Sequence, residues 1–271
     1  MLRGFFEGLL AMPRLMRVMR SQPDVWSSFL DLTLKRTLVV LLLAGPFIGA
    51  RIDELRAGPE DWWQWLVSFG PPLIIAQWIV VAFTREYDDR ISDSLARRAG
   101  IPPEDAEPPT TPPRTRFDWK WVKKRMRRRM QVFRAALPGF ILFAMFFSFF
   151  SDDFMLRAVS SAVGALWTFY WLVVGTVSKS ASGWTTEGSA PPLLFIGALS
   201  RLPLVGWIGR LWSRMAKDLF PPAEMVERHP LEFIGLTLMR LTGVVPLVGL
   251  WWRPLVPVAV SSILQPDTPK G

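Results

Sequence analysis

Cysteine is absent from this 271-residue chain, and histidine occurs once, at position 229. The first absence excludes disulfides and thiolate chemistry. The second excludes a histidine-based metal cluster within one chain. There is no phosphate-cradling GxxxxGK[ST] loop and no glycine-rich dinucleotide motif, so no residue pattern asks for a cofactor. Groups set up for acid–base or nucleophilic work are also missing. His229 has no serine–aspartate pattern around it and precedes Pro230, so it reads as a cap or interface residue. Asp88-Asp89 and Asp152-Asp153 are adjacent carboxylates, which diverge on a helix and read as turn and surface residues. Ser178 and Lys179 are adjacent too and do not face each other on a helix. The expectation is a chain that is not an enzyme and holds no metal.

What is present is apolar sequence in long stretches, with the charges gathered between them. Half of the residues are hydrophobic and 13% are aromatic. A helix that crosses a bilayer needs roughly 20 mostly apolar residues. Residues 26–50 and 62–83 read as full crossings, the second entered through Trp62, Trp63 and Trp65 and bent at Pro71-Pro72. Residues 135–177 and 231–263 read as helical hairpins that insert fully or only partway. The first is broken at Ser151-Asp152-Asp153, and the second turns at Pro246-Leu247-Val248-Gly249. The predicted fold class is therefore all-α, a multi-pass membrane protein of one domain.

Amphipathic stretches lie beside these spans. Over residues 1–22, Leu2, Phe5, Phe6, Leu9, Met12, Met16 and Met19 share one helical face, and Arg3, Glu7, Arg14 and Arg17 the other. Such a helix lies along a membrane surface or packs on the protein's own polar side. No cleavable leader is expected at this end. Residues 191–217 read as an interfacial helix. Residues 85–134 form a polar region with 14 Lys/Arg against 8 Asp/Glu. Within it, 91–99 reads as a short helix stopped by Gly100, and 102–113 as a proline-rich linker.

The net charge of +9 points to loops on the cytoplasmic side and to anionic headgroups. Nucleic acid is not expected as a partner, because the basic residues sit beside apolar spans. The cluster Lys123, Lys124, Arg125, Arg127, Arg128 and Arg129 reads as a topology determinant touching lipid phosphates. It predicts both termini in the cytoplasm and residues 51–61 on the other side. Asp31 and Lys35 are four apart and so share a helical face. They sit at the headgroup boundary or form an ion pair inside the bundle. Arg240 and Arg253 lie in the two arms of the last hairpin. Each either snorkels to headgroups or faces a pathway where its planar fork suits an oxyanion.

Four stretches resemble the CysZ-like family of bacterial membrane proteins, related to the etoposide-induced protein family. They are Gly8-Leu9-Leu10 through Pro13 and on to Pro23, then Asp89 to Ala96, then Lys120 to Val177, and finally Pro230 to Leu236 with Val245 to Val248 and Pro254 to Ile263. The proline-rich linker, the tryptophan content and Arg253 stand outside the resemblance. It implies two full spans, two partly inserted hairpins, homo-oligomers, a bacterial inner membrane and uptake of a small anion such as sulfate. The residues leave a second reading open, a non-transporting membrane protein whose basic cytoplasmic face organises lipids or recruits a partner.

Overall fold

A computed structural model describes residues 2–50, 62–103, 112–149, 154–184, 201, 203, 206–245 and 247–265, with backbone alone for 62–68 and 142–149. Every regular element among them is a helix. The long ones are α1 (Leu2–Arg20), α2 (Pro23–Gly49), α3 (Trp62–Phe83), α4 (Arg85–Arg98), α5 (Trp119–Phe149) and α6 (Phe154–Val177). Shorter ones follow: α7 (Gly206–Ala216), α8 (Phe220–Arg228), α9 (Pro230–Leu241), α10 (Val248–Trp252) and α11 (Leu255–Leu264). Residues 51–61, the linker core 104–111, the break 150–153, and most of 185–205 lie outside the described residues.

Among the described residues, two helices are long and apolar enough to cross a membrane, Pro23–Gly49 and Phe154–Val177. At 1.5 Å per residue they run about 40 and about 36 Å, against about 30 Å of hydrocarbon. The second had been expected only as the arm of a hairpin. α3 is an unbroken helix of 22 residues through Pro71-Pro72, and its part from Phe69 on is apolar. Outward-facing side chains on α2 include Leu34, Leu38, Leu42 and Phe47, and on α6 Phe154, Met155 and Leu166. Between α2 and α3, Val40, Ala44, Ala76 and Val80 form a small core of their own.

The main core gathers the amphipathic helices around the ends of these spans. α1 buries Ala11, Met12, Leu15 and Met19, so its apolar stripe packs on the protein itself. Its closest approach is to α9. A Cβ on Gly8 would lie 1.8 Å from the Glu232 carbonyl oxygen, and one on Gly235 would lie 2.2 Å from the Phe5 carbonyl oxygen. Small residues let two backbones meet in this way.

α5 and α6 run antiparallel, with Trp167 Nε1 donating to the Ala136 carbonyl and Arg128 to the Ser178 carbonyl. The helix expected from residue 91 starts earlier, at Arg85, and ends at Arg98, just before Gly100, whose φ of +70° favours glycine. The last hairpin is less regular than expected. α9 has 12 residues, about 18 Å, and the returning arm breaks at Arg253-Pro254 into α10 and α11. Neither arm matches the hydrocarbon thickness. Ser92 Oγ donates to the Pro254 carbonyl, which ties this break to α4.

Candidate functional site

Asp88, expected at the surface, is buried beside the α3–α4 junction. Its Oδ1 accepts from Arg36 Nη1 at 2.5 Å, and its Oδ2 accepts from Arg253 Nε. Arg36 is buried as well, and it completes its fork on Thr84. Its Nε donates to Thr84 Oγ1 at 2.7 Å and its Nη2 to the Thr84 carbonyl at 2.7 Å. Thr84 in turn donates to the Val80 carbonyl. One carboxylate thus joins α2, α4 and the break before α11. A buried charge needs a partner in this way, because its desolvation costs several kcal/mol in order of magnitude.

Arg253 also belongs to a second group. Its guanidinium lies 5.0 Å from the centre of the Trp121 ring, which Arg125 approaches at 5.1 Å and Arg85 at 6.0 Å. Trp78 on α3 receives Arg129 at 4.0 Å and Arg125 at 5.0 Å. Arg128 lies 4.9 Å from Trp184. These indoles are platforms for cations, whose attraction to the ring face strengthens as water is removed. Trp121 and Arg125 share a helical face at four-residue spacing, which the sequence could have revealed. Trp78 reaches the site only through tertiary packing.

Arg240 donates from Nη1 to Thr176 Oγ1, near the end of α6. Three residues on, Lys179 is half-buried. Burial holds its ammonium well below the ordinary lysine range, and the charges of Arg240, Arg125, Arg253 and Arg129 push it the same way. Five cations from α5, α9, the α6 end and the α10–α11 break therefore act on one another. Among the described residues, Asp88 alone among carboxylates pairs with a member of the set. Arg129 is exposed and the other four are partly so.

The loop carrying Lys179 is fixed from below. Ser180 and Ser182 both hydrogen-bond the buried Ser261 Oγ, at 3.0 and 2.9 Å. At the other end, Asp118 caps α5, accepting the Trp121 N–H at 2.9 Å and Arg85 Nη1 at 2.8 Å. The Trp121 N–H, helped by the Arg85 charge, holds the Asp118 carboxyl below its ordinary range, although burial opposes it by more than Arg85 alone contributes.

The other expected residues fall elsewhere. The charges of Arg240 and Arg253 both act on Lys179. The basic run splits by face: Arg125, Arg128 and Arg129 turn to the tryptophans, while Lys123, Lys124 and Arg127 are exposed. Asp31 and Lys35 pair at 2.6 Å with side chains 62% and 72% exposed, so the pair is not inside the bundle. His229 stands at the α8–α9 junction, makes no capping bond through its side chain, and meets Phe233 edge-on. No protein-family model, curated protein or solved structure matches the chain.

Proposed function

We propose that this chain is a multi-pass protein of a bacterial inner membrane that binds small oxyanions and passes them across the bilayer. The single observation that carries the reading is the group Arg125, Arg129, Lys179, Arg240 and Arg253, in which, among the described residues, Asp88 is the one carboxylate that forms an ion pair. Mutual repulsion makes such a group costly unless an anion joins it. Guanidinium forks fit the edge of a tetrahedral oxyanion. Trp78 and Trp121 hold three of the arginines in place without neutralising them. The exposed apolar residues of α2 and α6 support a bilayer as the surrounding medium. The resemblance of the closing segments to the CysZ-like family points to the same substrate class, with sulfate first.

A second reading rests on the exposed Lys123, Lys124 and Arg127, which face away from the group. It makes the protein a non-transporting organiser of lipid or of a partner.

The deciding experiment is anion efflux from vesicles that contain the purified protein, with sulfate, phosphate and chloride compared. Flux in the wild type, lost in Arg129→Gln/Arg240→Gln while Lys123→Gln/Lys124→Gln retains it, supports the first reading. A wild type that passes none of these anions overturns it and leaves the second.

A further inference from the structure

A separate basic cavity lies on the other side of α5. Arg127, Met130, Gln131 and Arg134 from α5, Arg214 and Met215 from α7, and Asp218 from the turn after it enclose about 620 Å³. Three guanidiniums meet one carboxylate there. Asp218 is already engaged, its Oδ2 accepting from Gln131 Nε2 at 2.6 Å. Among the described residues, no ion pair is formed by Arg127, Arg134 or Arg214. The cavity therefore carries an excess of two positive charges and several N–H donors.

Its position selects among anions. Residues 127–134 are where α5 changes from basic to apolar; Phe133 is exposed there, and Phe140 and Ile141 are exposed just beyond. On α7, Trp207 and Leu211 are exposed on the same helical face as Arg214 and Met215. Arginines at the mouth of an exposed apolar surface suit a phosphate that carries acyl chains. A free phosphate would have no use for the apolar rim.

The walls are also held before any ligand arrives. The Trp212 indole N–H, buried, donates to the Ala135 carbonyl at 2.7 Å, and Trp167 donates to the next carbonyl, that of Ala136, at 2.9 Å. The two rings lie 5.1 Å apart, and Gly139 leaves room for Trp167, where a Cβ would come within 2.3 Å of the indole. Fixing α7 on α5 in this way lowers the entropy cost of binding.

We infer that the α5–α7 cavity is a binding site for the phosphodiester headgroup of an anionic phospholipid, gripped by Arg127, Arg134 and Arg214. The site shares no residue with the Trp78–Trp121 cation group, so it stands or falls independently of transport. Basic pockets between helices at the headgroup layer are known to take such lipids.

The test uses the full chain, freed of lipid in a nonionic detergent, with added phosphatidylglycerol, cardiolipin, phosphatidylcholine or inorganic phosphate, read by native mass spectrometry and by the shift in Tm. Phosphatidylglycerol and cardiolipin should bind and raise the Tm of the wild type, whereas phosphatidylcholine should not. Arg134→Gln/Arg214→Gln should weaken that binding at least tenfold, and Lys123→Gln/Lys124→Gln should leave it within twofold. Arg134→Lys/Arg214→Lys keeps the charge but loses the fork, and should fall between. Equal binding of phosphatidylcholine, an equal response to inorganic phosphate, or unchanged lipid binding in both arginine variants would overturn the assignment. If the glutamine variant fails to fold, the lysine variant decides: weakened binding of the anionic lipids supports the assignment, and unchanged binding overturns it.

Discussion

Arg36 of α2 and Asp88 of α4 meet at 2.5 Å with side chains only 2% and 5% exposed, although 52 positions separate them. Asp88 gives its other oxygen to Arg253, so one acid restrains two buried or half-buried arginines. The clasp ties the second helix of the chain to its last hairpin.

Asp88→Ala strands Arg36 in a site where water cannot replace the carboxylate. The expected loss is about 3–5 kcal/mol of stability, the cost of leaving a buried charge unpaired. Equilibrium unfolding in detergent measures it. Arg36→Met/Asp88→Leu, which removes both charges, should recover most of that loss. A loss in the double variant as large as in Asp88→Ala would show that Arg253, left without its carboxylate, or the shape of the site sets the cost, and not Arg36.

The α1–α9 crossing depends on missing side chains. Gly235→Ala should force the helices apart at the Phe5 carbonyl and cost about 1–3 kcal/mol, as overpacking does. Limited proteolysis should then cut α1 faster than in the wild type, while Gly100→Asn, at a position of positive φ with open space around it, should leave that rate unchanged.

Asp118 contributes stability that depends on pH. Its carboxyl is held below the ordinary range in the folded state. The contribution is therefore complete above the ordinary aspartate range and is lost as pH falls through the lowered folded value. Asp118→Ala should cost about 1 kcal/mol near neutrality, typical of a lost cap. It should also flatten the acid side of the stability curve, as measured by unfolding at a series of pH values.

Lys179 links anion binding to protons. Its ammonium is destabilised by burial and by four arginines, so its value in the free protein lies well below that of an ordinary lysine. A bound anion offsets the repulsion and raises that value. In the window between the two, binding should take up protons, and affinity should rise as pH falls, levelling off below the free-protein value. Titration calorimetry in buffers of different ionisation enthalpy reads the proton count directly. Lys179→Met should abolish the uptake while leaving the Arg36–Asp88 clasp in place.

The helices themselves were legible in the residues. Apolar runs at 26–50 and 62–83, the break at Gly100, and the stripe of Leu2 to Met19 depend on local periodicity and composition, which a helix expresses wherever it is placed. The same holds for Asp31 and Lys35, whose four-residue spacing alone produces their contact.

The chain's order could not say which charges would be taken out of water. Asp88 reads like any acid beside Asp89, and only the packing of α2, α4 and the α10–α11 break buries the first of the two between arginines. The basic run on α5 likewise gave its total charge but not its division. Trp78 draws Arg125 and Arg129 inward from another helix, and α7 gives Arg127 and Arg134 a separate cavity. Spacing along one helix fixes which side chains share a face. What each face meets depends on contacts between residues far apart in the chain, and those form only when the helices are brought together.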